Sequence, residues 1–294
     1  MTVLVGLLSF HALVCLMWTL VSAAMWALVT GTRPRLRREA IGWMAREWGA
    51  AMVVFALRPT GWWQPRSRPS RGTEHRDPAT PPPVETTLPP VLLVPGFGLN
   101  RRCFLFLALY LRRRGWRWVW AINNRPFSGP IQALAVELGH RVEELCEASG
   151  SDRVDIVAHS MGGLVAAWYI QHLGGARRVR RLVALGTPWA GSRMAIFGPL
   201  RQARDLEPGS ETLSLLGPSR VPTTTVWSPH DNIVLPPESA RAPWTTTVAA
   251  SWTGHLTLLL SATALRHVAG ALLSPGRTPP ADDDTGAACP APSS

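Results

Sequence analysis

The amino-acid sequence contains no lysine, so arginine supplies all 30 basic side chains of its 294 residues. The arginines occur in separate groups at 33–38, 66–76, 112–117 and 177–181, and they do not alternate with aromatic residues along one periodic face. No nucleic-acid-binding motif accompanies the formal net charge of +11. We therefore expect no nucleic-acid partner, and we attribute the basic balance to charge near a membrane and to biased codon usage.

Cysteine is also scarce. The four cysteines, at positions 15, 103, 146 and 289, are widely spaced and form no C-x-x-C pair. This pattern has neither the spacing of a metal site nor the density of a disulfide framework. We expect no metal ion and no disulfide scaffold.

No basic residue precedes the first apolar run, which covers residues 3–29 and carries no formal charge. A membrane-spanning helix needs roughly 20 such residues. A cleaved signal peptide is the alternative, with a weak cleavage site at 22–24, but signal peptides usually begin with basic residues and have a shorter apolar region. We predict a retained transmembrane helix over residues 1–30.

Residues 31–57 comprise a basic loop and a second apolar segment at 41–57, which Arg46 and Glu47 interrupt. Three arrangements are open: a second span, a helix lying on the membrane with Trp43 and Trp48 at headgroup depth, or an amphipathic helix packed on a folded domain. The two charges argue against a span, because a charge near the bilayer centre costs about 2.5–3.5 kcal/mol.

Arginines follow both apolar segments. They are Arg33, Arg35, Arg37 and Arg38 after the first, and Arg58, Arg66, Arg68 and Arg71 after the second. Basic residues that flank a span tend to stay in the cytoplasm. We therefore expect one span, anchoring through the N-terminal helix, and a folded domain on the cytoplasmic side.

Two segments are too polar and too rich in proline to bury a core of their own. Residues 58–90 are predicted to be a linker, and residues 274–294 a disordered tail. Between them, residues 91–273 form one domain. Strands are predicted at 91–94, 116–122, 153–158, 179–185, 222–228 and 245–250, and helices at 104–114, 131–148, 161–172 and 256–272. Apolar strands that alternate with helices indicate an α/β fold, a mostly parallel sheet with helices on both faces.

The stretch VDIVAHSMGG, residues 154–163, carries the clearest chemical signal. Ser160 lies between a β-forming run and a helix, and the small residues Ala158 and Gly162 flank it. A serine in this pattern stands on a sharp strand-to-helix turn with its hydroxyl exposed, as a nucleophile does. A helix N-cap serine is the alternative, but an N-cap does not need small flanking residues.

A serine hydroxyl needs a base within hydrogen-bond reach, and the base needs an orienting carboxylate. We predict His255 as the base, because it lies between a strand and a helix, where its side chain can reach the edge of the sheet. The other histidines that follow the serine are His172, His230 and His267.

We predict Asp231 as the orienting acid, because it lies just past a strand end and upstream of the histidine. Asp205 and Glu207, in a segment between strands, are the alternatives. An aspartate that only forms a turn is the simpler interpretation of Asp231.

The loop VPGFGLN, after the first strand of the domain, is predicted to help bind an oxyanion. Gly96 and Gly98 allow the backbone to turn closely, so the N–H groups of Phe97 and Met161 are the expected donors; a simple glycine turn is the alternative. Apolar side chains nearby are predicted to line a groove for an acyl group, with ordinary loop packing as the alternative: Phe97, Leu99, Trp189, Met194, Ile196 and Phe197.

Residues 91–273 resemble the α/β-hydrolase superfamily, and most closely its bacterial membrane-associated lipases and esterases. The matching stretches are VLLVPGFGLNRRCF, DIVAHSMGGLVAAWYI, RLVALGTPWAGS, SPHDNIVLPPESA and GHLTLLLS, in that order. The family commonly has His-Gly where this chain has Pro95-Gly96. The resemblance implies an α/β-hydrolase fold and a Ser-Asp-His triad, and it does not extend to residues 1–90.

Together these features predict a serine hydrolase of carboxylic esters, a lipase or esterase that forms an acyl-enzyme and requires no cofactor. The expected partners are a lipid or other apolar ester and the membrane. An acyltransferase with the same triad and a catalytically silent, membrane-tethered interaction domain are the alternatives. The segment 186–221 is too short for a large cap, so at most a small lid is expected.

Overall fold

The structure, a computed structural model, describes residues 2–31, 38–62, 88–198 and 200–274. Its centre is a six-stranded sheet in the order β2-β1-β3-β4-β5-β6, and every neighbouring pair is parallel. The strands are β1 (Val91–Val94), β2 (Val119–Ala121), β3 (Val154–His159), β4 (Val179–Leu185), β5 (Thr223–Trp227) and β6 (Thr246–Ala249). The predicted α/β fold with a parallel sheet is confirmed.

Helices cover both faces of the sheet. They are α1 (Thr2–Thr30), α2 (Arg38–Leu57), α3 (Leu105–Arg113), α4 (Ile131–Ser149), α5 (Met161–His172), α6 (Arg201–Asp205), α7 (Glu211–Ser214) and α8 (Ala262–Leu273). Side chains alternate across the pleat, so that Leu92 and Val94 pack with α4 and α5, while Val91 and Leu93 pack with α3 and α8. Burial on both faces explains why these strands are continuously apolar.

The helix predicted at 256–272 is divided in the structure. A 3-10 turn, Thr257–Leu259, follows His255, and α8 begins only at Ala262. The reason is Ser261, whose hydroxyl accepts a hydrogen bond from Ala264 N at 3.5 Å and caps a new helix. The break leaves the chain beside His255 as a loop.

The two N-terminal helices pack on the domain. Ala50, Ala51 and Val54 of α2, together with Cys15 of α1, belong to the same buried core as α3 and α8. The indole N–H of Trp48 donates to Ala12 O at 3.1 Å and joins the two helices. Both helices are long and apolar enough to cross a membrane by length and composition. The packing of α2 favours the third of the three arrangements open for it, a helix on the folded domain.

The predicted linker begins later than expected. A 3-10 turn, Arg58–Gly61, continues α2 and docks on the domain, where Asn100 Nδ2 donates to Arg58 O at 2.7 Å and Asn123 Nδ2 donates to Gly61 O at 2.9 Å. The basic loop at 32–37, the rest of the linker at 63–87 and the tail at 275–294 lie outside the described residues.

Candidate active site

Ser160 occupies a strained turn between β3 and α5. Its backbone has φ 54° and ψ −128°, a region that side-chain-bearing residues rarely adopt. The N–H of Ser160 donates to Leu185 O of the neighbouring strand at 2.8 Å, which holds the turn at the end of the sheet. Its hydroxyl does not cap α5. The geometry therefore agrees with the predicted nucleophile turn and not with an N-cap.

Small residues let the surrounding backbone close on this turn. A Cβ atom at Gly162 would lie 2.5 Å from Val94 O, and one at Gly163 would collide with Thr187. A Cβ atom at Gly96 would lie 2.8 Å from the Cβ atom of Ser160. The glycine pair and Gly96 are thus needed for the approach of helix, strand and loop at one point.

We expect Gly162→Ala to destabilise the protein by about 1–3 kcal/mol, because its methyl group would meet the backbone of β1 rather than a flexible side chain. The matched control is Gly270→Ala in α8, where no atom lies within 4 Å of the added Cβ. That substitution should stabilise by about 0.5–1 kcal/mol. Denaturant unfolding of both variants is the measurement, and equal effects would contradict the steric argument.

Asp231 and His255 form a buried, directed pair. The Nδ1–H of His255 donates to Asp231 Oδ2 at 2.8 Å, and Asp231 Oδ1 accepts from the N–H groups of Ile233 and Val234, both at 2.9 Å. The backbone N–H of His255 donates to Asn232 Oδ1 at 3.0 Å. Both the carboxylate and the imidazole are therefore fixed, and Nε2 of His255 is left as the free proton acceptor.

The pair changes how readily His255 takes a proton. Burial lowers the pKa of His255, but the charge of Asp231, the hydrogen bond to it and the charge of Glu47 together outweigh burial, so the pKa is raised. An imidazole with a raised pKa is a stronger base than a free one, which is the property that deprotonation of a hydroxyl requires.

The raised pKa has a consequence for pH dependence. His255 accepts a proton only when neutral, so we expect the acid limb of kcat/KM to have its midpoint above the ordinary histidine value of about 6.5. Activity on an uncharged ester should rise with pH through that midpoint. A profile of kcat/KM against pH is the measurement, and a midpoint below that of free histidine would contradict the assignment.

His159 lies against His255. It belongs to the motif of Ser160, but the sequence did not assign it to the site. The two ring centroids are 4.6 Å apart, and Nε2–H of His159 donates to His255 O at 3.2 Å. Burial, and then the charge of His255, lower the pKa of His159 well below its usual range. His159 is thus a neutral support for the loop that carries His255.

The alternative acids lie elsewhere. Asp205 Oδ2 accepts from Ile131 N at 3.1 Å and its Oδ1 accepts from Thr212 Oγ1 at 2.8 Å, so it joins the start of α4 to α7. Glu207 is exposed. Neither contacts His255, which leaves Asp231 as the carboxylate of the site.

The alternative bases also have other contacts. His172 is hydrogen-bonded to Leu215 O, and His230 stacks on Trp252 with ring centroids 4.1 Å apart. His267 lies within α8. The structure brings only His255, of these four, to the carboxylate of Asp231.

The expected oxyanion donors flank Ser160. Met161 is the first residue of α5, and its N–H is among those at a helix start that have no acceptor within the helix. Phe97 lies in the turn after β1, which Leu99 N closes by donating to Gly96 O at 3.2 Å, and Gly98 of this turn has φ +66°. Both residues therefore adjoin the serine, and their role as oxyanion donors stays a prediction.

A cavity of about 970 Å³ opens over Ser160 and His255. Of the predicted acyl-groove residues, Phe97, Leu99, Met194 and Phe197 line it. Trp189 does not, because its indole N–H is bonded to Thr225 Oγ1 at 3.0 Å and its ring packs on Trp244. Ile196 does not either, because it projects from a 3-10 turn and is 76% exposed.

Part of the cavity lining was not predicted from the sequence. Residues of α1, α2 and the turn that follows them line it, and Glu47 of α2 touches the loop after His255. The available signal was the single acidic residue inside an apolar segment, because a buried charge is usually paired within a protein. Within the described ranges, no three His, Cys, Asp or Glu side chains are grouped so as to hold a metal ion.

A family model for the alpha/beta hydrolase fold matches residues 89–205. Aspergillus fumigatus lipase B has 18% identity and a TM-score of 0.56, over 65% of this chain and 54% of that chain. Bacillus licheniformis lipase BlEst2 has 17% identity and a TM-score of 0.57 in its mature form, over 68% of this chain and 94% of that chain.

The propeptide form of the same Bacillus lipase has 19% identity and a TM-score of 0.55, over 69% of this chain and 52% of that chain. This chain thus spans about half the length of two of these three structures. At such identities the likeness concerns the fold, and the chemistry has to be argued from the residues of the site.

Proposed function

We propose that this chain, which has the α/β-hydrolase fold, is a serine hydrolase that cleaves carboxylic esters with an apolar acyl group. The observation that carries the proposal is the combination of a strained Ser160 and a buried Asp231–His255 pair at one cavity. The mostly apolar lining of that cavity supports an apolar acyl group.

In the proposed first step, Ser160 Oγ attacks the ester carbonyl carbon while Nε2 of His255 takes the hydroxyl proton. Asp231 keeps Nδ1–H of His255 as the donor and stabilises the imidazolium that forms. The tetrahedral oxyanion accepts hydrogen bonds from the backbone N–H groups of Phe97 and Met161.

The intermediate then collapses. His255 returns the proton to the leaving alcohol, and the acyl group remains as an ester of Ser160. In the second half of the reaction His255 deprotonates a water molecule, which attacks the acyl-enzyme, releases the carboxylic acid and restores the serine. Every proton transfer uses the same imidazole nitrogen, so no other titrating group is needed.

We also propose that α1 holds the protein at a membrane, with the folded domain on the cytoplasmic side. The support is the length and apolar composition of α1 and its many exposed apolar side chains, such as Phe10, Leu13 and Met17. The arginines at 33, 35 and 37 that suggest the orientation lie outside the described residues. Reporter fusions after Arg38 and after Arg71 test it: both should report the cytoplasm, and a second fusion reporting the other side would contradict it.

The test of the chemistry uses the purified full chain in detergent. We expect hydrolysis of p-nitrophenyl esters and labelling by a fluorophosphonate probe, with Ser160→Ala as the unlabelled control. Product analysis with added alcohol separates hydrolysis from transfer to another acceptor. A folded protein that neither cleaves any ester nor reacts with the probe would contradict the proposal and favour a silent interaction domain.

A further inference from the structure

One face of α1 lines the cavity above Ser160. The residues on it are His11, Val14, Cys15 and Trp18. Their spacing of three and four positions makes a single stripe along the helix. Met194 and Phe197 line the same cavity from the domain. In the described part of the lining, Arg58 is the only residue among the arginine, lysine, aspartate and glutamate types.

Direct bonds hold α1 at this position. Asn232 Nδ2 donates to Ser22 Oγ at 2.6 Å, and both side chains are buried. The indole N–H of Trp26 donates to Pro229 O at 3.2 Å. Asn232 and Pro229 are close neighbours of Asp231 in the chain, so the helix is joined to the same segment that carries the acid of the site.

We propose that α1 is a wall of the substrate site and that its inward stripe binds the acyl chain of a long-chain lipid ester. The proposal rests on the proposed function and adds the substrate class to it. Because the stripe and Phe197 line the same cavity as Ser160, a long acyl chain is expected to make more contacts with them than a short acyl group does. The same helix thus shapes the site with one face and exposes apolar side chains on another.

The test compares two neighbouring positions of α1. Val14 lines the cavity and is 47% exposed, whereas Leu13 does not line it and is 56% exposed. We expect Val14→Trp to lower kcat/KM for a p-nitrophenyl palmitate by about tenfold, because a pocket contact is worth roughly that much discrimination. The loss on the butyrate ester should be much smaller, and Leu13→Trp should change neither substrate.

Equal effects on both esters, or equal effects of both variants, would overturn the proposal. A fluorescent fatty acid gives a second readout that does not require turnover: Val14→Trp should weaken its binding and Leu13→Trp should not. If the parent protein cleaves no ester, the proposed function fails, whereas unchanged fatty-acid binding by Val14→Trp refutes the acyl wall.

A different observation concerns Glu47 of α2, a buried carboxylate at the loop of His255. Its oxygens accept hydrogen bonds from Leu256 N at 2.8 Å, Thr257 N at 3.0 Å and Thr257 Oγ1 at 2.6 Å. On the other side of His255, a Cβ atom at Gly254 would collide with this carboxylate. The side chain therefore fits against the residues immediately before and after the histidine.

We infer that Glu47 is a positioning residue for His255. It satisfies the backbone donors at the start of the 3-10 turn Thr257–Leu259, and in its ionised form its negative charge favours the imidazolium formed when Ser160 loses its proton. Among the described residues, the charged or titratable groups that face His255 are Asp231, Glu47 and His159. Asp231 orients the ring, and Glu47 holds the backbone on which the ring is mounted.

We expect Glu47→Gln to lower kcat by about 10-fold to 10²-fold, the range for a small misplacement of a catalytic group, with little change in KM. Removal of the charge that raises the pKa of His255 should also move the acid limb of kcat/KM to lower pH. Glu47→Asp keeps the charge and should leave the limb near its original position, even where its shorter reach lowers kcat.

Glu39→Gln is the matched control, because Glu39 lies on the same helix and is exposed; its kinetics should equal those of the parent. Thr257→Val removes one hydrogen bond to the intact carboxylate, so it should lower kcat without moving the acid limb of kcat/KM. This variant takes the place of Glu47→Gln in the test if Glu47→Gln does not fold. Unchanged kcat in both Glu47→Gln and Thr257→Val, or an unmoved limb in a folded Glu47→Gln, would overturn the inference.

Discussion

Replacing Ser160 with alanine will lower kcat on a carboxylic ester by about 10⁴-fold to 10⁶-fold, the usual effect of losing a triad nucleophile. No other side chain stands on the strained turn at the end of β3, so the acyl-enzyme cannot form. The expected residual rate comes from binding and from the oxyanion donors, which the substitution leaves in place. Steady-state kinetics on a p-nitrophenyl ester, with active-site titration of the parent, measure the loss.

The stability of Ser160→Ala distinguishes loss of the nucleophile from loss of the folded structure. The hydroxyl of Ser160 makes no cap to α5, and alanine adds no atom to the crowded turn. Denaturant unfolding of Ser160→Ala should therefore match the parent closely. Activity within tenfold of the parent, in a correctly folded variant, would refute Ser160 as the nucleophile.

Replacing Asp231 with asparagine will lower kcat by about 10⁴-fold. The amide keeps the shape of the side chain, but its NH₂ group can donate to His255 Nδ1 and so favour the wrong tautomer, in which Nε2 carries the proton and cannot act as a base. The charge that stabilises the imidazolium is lost at the same time. Kinetics at several pH values measure both consequences.

Asp205→Asn is the matched control, because Asp205 is the competing residue and its carboxylate bonds only to Ile131 and Thr212 in the described structure. Asp205→Asn should change the free energy of unfolding and leave kcat unchanged. A double variant of Ser160→Ala and Asp231→Asn should be no slower than Ser160→Ala alone, since the triad acts as a unit. If Asp205→Asn lowers kcat severely while Asp231→Asn leaves it nearly unchanged, the acid of the triad is Asp205 and not Asp231.

The grouping of residues at the sheet edge was predictable, because it depends on short stretches whose positions the fold dictates. The carboxyl ends of parallel strands meet at one edge, so Ser160 after β3, Asp231 after β5 and His255 after β6 had to lie close together. Helix α5 and strands β1 and β4 agree with their predicted bounds, because apolar periodicity and the glycine pair coincide there.

The walls of the cavity were not predictable in the same way. Whether an apolar helix packs on protein or on lipid depends on its partners, and the contacts of Ser22 and Glu47 are made with residues about two hundred positions away. The prediction that Trp189 and Ile196 line the cavity was wrong for a related reason. The direction of a side chain in an irregular segment depends on contacts such as the one with Thr225.

The bonds from Glu47 to Leu256 and Thr257 join chain positions separated by 209 and 210 residues. During synthesis, the helix that contributes the carboxylate is made long before the loop that receives it, so the site is completed only after β6 has joined the sheet. Contacts this far apart form late, because closing a long stretch of chain costs entropy before the contact repays it. A half-made or prematurely ended polypeptide would therefore carry the serine without a supported base.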